Sequence, residues 1–476
     1  MRAPILRLFG LVVLLFALLV GWTTRWTVFE SKALNDNALN KRTLFDDLRI
    51  KRGRILAADG TVLARSVAGP DGTWTRAYPT GSLFAQPIGY SIALLGSAAG
   101  LERSRGDDLR GVQRGLTSVF GQLSPHPVGD DVLSTLDPKA QRVALQQLGG
   151  QNGSVVALDP RTGAIKVMVS LPGYDDNHPL KQGPGRSTLN RATQARYPPG
   201  STFKIVTDTA AIDSGQYTPS SVVDGSSPVT ISGVPLMNDN NQSFGPIDLT
   251  TALTFSVNTV WAQVAEHLGR GTLTRYMQRF GFYAKPPLDL PPDELGASRP
   301  WSPGPRSHPY AAGSPSEDIG RIAIGQGGLE VTPLQMAMVA AAVGNGGKLM
   351  APRFTDRVVD PVGRTVQTIR PSVVSQVMKP STAQAVAQMM KKVVEEGTGT
   401  PAQLGSGVQF AGKTGTASIG TTGSGLTQPW FIGFAPLQNP KVAIAVTVER
   451  SRGGFGGTVA APIAKAVVQT LLSKGG

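Results

Sequence analysis

YPPGSTFK, residues 197–204, places a hydroxyl and an amine three residues apart where a helix should begin. Pro198 and Pro199 suit the approach to a helix start and Gly200 allows a tight turn. TFKIVTDTAAIDSG then reads as helix with Phe203, Val206 and Ala210 on one face. Three residues are nearly one helical turn, so Ser201 and Lys204 share a face. A neutral lysine amine there can take the serine proton as the oxygen attacks a carbonyl. Unpaired N–H groups at the helix start favour the negative charge that develops. An isolated S-x-x-K occurs in many unrelated chains, so its meaning depends on what accompanies it.

Two further constellations do. In DLTTALTFSVNTVWAQVAEHLG, residues 248–269, Asp248 caps one short helix, and Val260, Trp261, Val264 and Leu268 line a second that Gly269 ends. Ser256 and Asn258 lie between them. In an extended connector, residues i and i+2 point the same way, into a cleft or into ordinary inter-helix polar contacts. The third is Lys413-Thr414-Gly415-Thr416, expected on a strand after VQFAG. Lys413 and Gly415 would face one side, with Gly415 leaving room for a peptide against the backbone. Gly407 to Thr414 also fits the G-x-x-x-x-G-K-T nucleotide-binding pattern, but such a loop needs a helix directly after its threonine. TGTASIGTTGSGLTQ does not sustain one, which sets nucleotide binding aside.

Composition narrows the chemistry further. The 476 residues suffice for two or three domains, and the absence of cysteine excludes disulfides, thiolate metal sites and a cysteine nucleophile. His126, His178, His267 and His308 lack ligand spacing, and there is no G-x-S-x-G elbow, so neither a metal, a cofactor nor a Ser-His-Asp triad is expected. Lys and Arg exceed Asp and Glu by 14. They are spread along the chain and aromatics are only 6%, which fits a solvated surface in an anionic envelope better than a nucleic-acid partner.

From Ile5 to Trp22 the chain is apolar apart from Arg7, close to the about 20 residues that span a bilayer. GWTTRW follows instead of an A-x-A-like site, so an uncleaved anchor is expected over residues 5–24, with residues 1–4 cytoplasmic and the remainder exported. Residues 25–150 read as a strand-rich pedestal. It contains a hairpin at Asp59-Gly60 and a helix capped by Asp137, begun at Pro138 and closed by Gly149. Residues 151–476 read as a second α/β unit. It opens with a hairpin over 153–170, has a helix beginning at Thr332-Pro333 and another over 379–397, and ends on two strands over 429–450 and the helix APIAKAVVQTLL.

S-x-x-K, S-x-N and K-T-G in this order resemble the set of the penicillin-binding proteins and serine β-lactamases. KRGRILAADGTVLA (51–64), RAYPTGSLFAQPIGY (76–90), GQG with TPLQ, and WFIGFAP after K-T-G extend the resemblance along nearly the whole chain. The chain is similar to class B penicillin-binding proteins, in particular the PbpA-like group of actinobacteria. That resemblance implies a D,D-transpeptidase whose antiparallel sheet lies between helix layers, a target of β-lactam antibiotics. Ser201 would attack the D-Ala-D-Ala bond of a peptidoglycan stem peptide, with Lys204 as general base. Ser256 would relay a proton to the leaving amine, and Asn258 would hold Lys204 and the substrate amide. The N–H groups of Ser201 and Thr416 would form the oxyanion hole, while Lys413, Thr414 and Thr416 would bind the terminal carboxylate. A membrane glycosyltransferase of the shape, elongation, division and sporulation (SEDS) group would be the partner.

Val257 replaces the aspartate of the β-lactamase middle motif, and no E-x-x-L-N-like deacylating base lies between Asn258 and Lys413; ESKALN at 30–35 is a near match in the wrong place. Water activation is therefore poorly provided for, against a β-lactamase. A D,D-carboxypeptidase with the same residues, or a non-catalytic wall-synthesis scaffold or β-lactam sensor, are the alternatives.

Overall fold

A computed structural model describes residues 2–30, 42–112, 128–405, 407–419 and 424–473. The polar connector after residue 30 with most of the ESKALN match, His126, and residues 420–423 of the stretch after K-T-G lie outside the described residues.

The apolar start of the chain forms the helix Arg2–Thr24, continued by a wider turn over Arg25–Phe29. Its span Ala3–Thr27 has a mean hydropathy of 2.6 and no part buried against the rest of the chain, and it is the one helix among the described residues long and apolar enough to cross a membrane.

The expected hairpin pairs Ile55–Leu56 with Val62–Ala68, its turn held by Gly60 at φ +85°. It belongs to a six-stranded sheet that runs, in spatial order, Thr365–Thr368, Thr355–Val359, Asp131–Ser134, Ile55–Leu56, Val62–Ala68 and Trp74–Ala77. Two of these strands come from far along the chain, so the division expected at residue 150 is crossed in space. The helix Pro138–Leu148 crosses it the other way. Asp137 caps it through Lys139 and Ala140 N–H, as expected, but its apolar face of Ala140, Ala144 and Leu148 packs on the second unit.

Glu102, wholly buried, ties the pedestal together. One carboxylate oxygen accepts from Arg52 Nη2 at 3.0 Å and the other from Arg76 Nε at 2.5 Å.

In the second unit the main sheet is antiparallel, ordered Ala411–Ser418, Leu426–Ala435, Val442–Val448, Gly153–Leu158 and Ile165–Leu171. Its strands are buried on both faces, and alternate side chains enter different cores. Val155, Ala157, Phe431 and Ile444 meet the helices Pro138–Leu148 and Ala461–Leu472, while Val156, Leu158, Ile432 and Ala445 meet the opposite layer. That layer contains the helix Pro333–Gly344, apolar on every side because it is covered all round, together with Lys204–Asp213, Asn258–Leu268 and Pro380–Glu395. The result is the expected antiparallel sheet between helix layers.

Glu102→Ala leaves two guanidinium groups facing each other in the pedestal core, and a loss of about 3–5 kcal/mol is expected. A lowered urea midpoint would register it, whereas Glu396→Ala, at an exposed pair with Lys392, should leave the midpoint in place.

Candidate active site

Ser201 sits in a single tight turn, Gly200–Phe203, that feeds directly into the helix Lys204–Asp213. The turn is held from three sides. Gly200, at φ +53°, donates its N–H to Gly325 O at 3.1 Å, Trp430 Nε1 donates to Pro198 O at 3.0 Å, and the Thr202 hydroxyl donates to Pro199 O at 2.8 Å. Upstream, Tyr197 exchanges both backbone hydrogen bonds with Val331, and its hydroxyl donates to the Glu449 carboxylate, which also accepts from Arg191 Nε at 2.8 Å.

The edge strand Ala411–Ser418 lies against this turn. A Cβ on Gly415 would come within 2.7 Å of Pro199 O and 2.9 Å of Thr202 Cγ2. Gly415 is therefore required for the strand to approach the Ser201 turn, and the room expected there for a peptide is taken by the protein's own backbone. Thr416 is paired with Pro429, which has no N–H to give. This fits a non-hydrogen-bonded position, where the N–H of Thr416 faces the strand's open edge.

Ser256 and Asn258 are brought to Lys204, though not by an extended connector. Ser256 has φ +62°, Val257 alone is extended, and Asn258 already begins the next helix. The left-handed residue and the helix start together turn both polar groups inward. Lys204 Nζ, with no solvent exposure, donates to Ser256 O at 2.6 Å and to Asn258 Oδ1 at 2.7 Å, and lies 3.2 Å from Ser256 Oγ. Lys413, equally buried, donates to the same Ser256 Oγ at 2.9 Å and to Thr414 O at 3.0 Å. Asn258 spends its NH₂ on Met237 O and Asp239 Oδ1, at 3.2 and 3.3 Å, which orients its oxygen toward the lysine. Ser201 is half-buried, one turn ahead of Lys204, and the Thr414 and Thr398 hydroxyls share a hydrogen bond of 2.5 Å.

Burial pulls the Lys204 amine well below the ordinary lysine range, the neighbouring Lys413 pulls it further, and Asp239 opposes both. Burial also brings Lys413 down to about 7 against the same carboxylate. Burial is the largest cause at both lysines, and repulsion between the two amines lowers Lys204 alone. One turn beyond Lys204, Asp208 is wholly buried with neither carboxylate oxygen partnered among the described residues, and burial pushes its carboxyl far up. Burial thus disfavours its charged form.

Asp239, Thr398, Glu449 and Tyr197 were not singled out by motif. Asp239 lies in NDNNQ, where Asn240 and Asn241 take positive φ, so the stretch reads as a turn; only the folded chain sets its carboxylate beside Asn258.

Residues 153–469 match the penicillin-binding protein transpeptidase domain, and residues 52–122 match the penicillin-binding protein A dimerisation domain. The chain is 33% identical to the peptidoglycan D,D-transpeptidase PbpA of Mycolicibacterium smegmatis over 100% of both chains, and 33% identical to that of Mycobacterium tuberculosis over 99% of both. The ceftriaxone acyl-enzyme of M. tuberculosis penicillin-binding protein A superposes with a TM-score of 0.79 at 30% identity, covering 90% of this chain and 100% of that one. A D,D-transpeptidase domain from Eggerthella lenta gives a TM-score of 0.76 at 31% identity over 90% and 99%. With a domain match across two-thirds of its length and relatives alignable end to end, the chain belongs to the penicillin-binding protein transpeptidase family.

Proposed function

We propose that Ser201 is the nucleophile through which this β-lactam-sensitive peptidoglycan D,D-transpeptidase acts, with Lys204 as its general base. The observation that supports this reading is the wholly buried Lys204 amine, held by two oxygens that only accept. A neutral amine has two N–H bonds and one lone pair. Ser256 O and Asn258 Oδ1 take the two N–H bonds, so the lone pair is left for a hydroxyl proton.

Ser201 Oγ attacks the carbonyl of the penultimate D-Ala as its proton passes to Lys204. The oxyanion accepts hydrogen bonds from the N–H groups of Ser201 and Thr416, an arrangement typically worth about 3 kcal/mol per donor. Collapse breaks the C–N bond, and the departing D-Ala amine takes a proton from Lys204 by way of Ser256, whose hydroxyl touches both lysines. A stem-peptide amine then enters by the reverse path. Lys413, with Thr414 and Thr416, binds the terminal carboxylate. The Thr416 hydroxyl accepts from Gly456 N–H at 3.1 Å, which leaves its own proton to donate. Asn258 orients Lys204 and meets the substrate amide, and Gly415 serves the site by letting strand and turn close together.

The transpeptidase unit is assigned to residues 151–476 and the pedestal to 25–150, with the strands at 355–368 lent to the pedestal sheet. Arg2 and Arg7, ahead of the apolar core, support a cytoplasmic N-terminus (1–4), an anchor at 5–24 and an extracytoplasmic catalytic unit. By family analogy it would work beside a SEDS glycosyltransferase.

Incubation with benzylpenicillin should add one penicillin mass to the protein and none to Ser201→Ala; an adduct that survives the substitution would move the nucleophile elsewhere. Acylation requires Lys204 neutral and Lys413 charged. Its rate should therefore fall on the acid side as Lys204 gains a proton, and fall again above about pH 7 as Lys413 loses one. Asp239 holds both lysines up, so Asp239→Asn should shift both limbs of the rate profile to lower pH, and an unmoved alkaline limb would contradict the role given to Lys413. Gly415→Ala should slow acylation by roughly a hundredfold through displacement of the Ser201 turn, read as the second-order rate with a chromogenic cephalosporin.

A further inference from the structure

Where the pedestal meets the loop 175–181 of the second unit, a cavity of about 450 Å³ opens that contains none of the residues assigned to catalysis. Its walls include Leu48, Trp74 and Ile92, and Leu94 and Leu180 line it while remaining 61% and 56% exposed. Two leucines left in water beside an apolar cavity mark a surface that gains by being covered.

The polar part of the lining is unbalanced. Arg52 and Arg76 share one carboxylate, Glu102, and both of its oxygens are used in doing so. Arg52 Nε and Arg76 Nη2 have no hydrogen-bond partner among the described residues, although the Arg76 side chain is only 4% exposed. Asp176, 3% exposed, also lines the cavity and leaves Oδ1 without a partner among the described residues. Burial pushes its carboxyl up and disfavours the charged form, so it offsets the second arginine less than a solvated carboxylate would. Asp47 is drawn toward Arg110 at 3.6 Å, and Lys181 contributes a further cation to the lining. The lining thus offers an excess of positive charge and unmet donors beside apolar walls, the pattern of a pocket built for one orienting polar group on an apolar body.

We propose that this junction is a second ligand site, one that takes a small amphiphile ending in a carboxylate. The carboxylate accepts from the Arg52 and Arg76 guanidiniums, and the apolar part lies against Trp74 and Ile92 beneath Leu94. The volume suits either the apolar C-terminal end of a short peptide or a medium-chain fatty acid. The chemistry is shared by the two, and affinity distinguishes the source.

The test is calorimetric titration of the full-length protein in lipid nanodiscs, with empty nanodiscs as reference. The probes are N-acetyl-Leu-Leu, its C-terminal amide and octanoate, each with and without prior treatment with benzylpenicillin. One saturable site is expected for N-acetyl-Leu-Leu or octanoate, at least tenfold weaker for the amide and unchanged by benzylpenicillin. Arg76→Gln breaks the Glu102 pair and can unfold the pedestal, so Leu94→Glu carries the test. Exposed Leu94 tolerates the change, and the added negative charge should weaken carboxylate binding at least tenfold. Tighter binding of the dipeptide assigns the site to peptide ends, and tighter binding of octanoate assigns it to acyl chains. Failure of both carboxylates to saturate, equal binding of the amide, indifference to Leu94→Glu, or loss on penicillin treatment would each overturn the proposal.

Discussion

Two lysine side chains with no exposure to water meet on one serine hydroxyl, and the rest of the catalytic unit is arranged around that contact. Burying a single ammonium costs several kcal/mol, and burying two together costs more because they repel. The chain meets this cost by lowering proton affinity, so that Lys204 falls well below the ordinary lysine range and Lys413 comes down to about 7. In water a lysine amine holds its proton near neutral pH, and burial favours the neutral form that carries a lone pair. Asp239, reached through the Asn258 amide, limits the shift and keeps a proton available on the second lysine.

Holding such a contact demands rigid support, and the support is largely backbone against backbone. The Ser201 turn sits between the edge strand and the segment around Gly325, where a side chain on Gly325 would lie 1.9 Å from Gly200 O. Glycines at these contacts let peptide groups pack directly against the Ser201 turn, where a side chain would leave no room. Trp430 and Tyr197 extend the clamp to the residues before the turn, Trp430 by a hydrogen bond to Pro198 O and Tyr197 by its pairing with Val331.

The pedestal is joined to this unit by exchange of elements. Strands at 355–368 complete the pedestal sheet, and the helix Pro138–Leu148 completes the core behind the catalytic sheet. Neither module buries its apolar surface alone, so the two share an interior. The cavity at 175–181 lies on that joint.

The sequence by itself determined the local elements and singled out the candidate reactive groups. Pro138 after Asp137, Thr332 before Pro333, Asp59-Gly60 and the Ser201 helix are set by backbone preferences acting over a few residues, and each took the form its local chemistry dictates. The spacing of Ser201, Lys204, Ser256, Asn258 and Lys413 was legible because motifs are short. Only the tertiary structure decided what lies between those motifs and how they meet. It made Ser256 left-handed, turned Gly415 from substrate floor into packing contact, brought Asp239 to Asn258, and sent the strands at 355–368 to the pedestal. The physical reason is that these outcomes depend on which surfaces are buried together and which charges lose their water, and both are properties of the folded chain that no short window of residues contains.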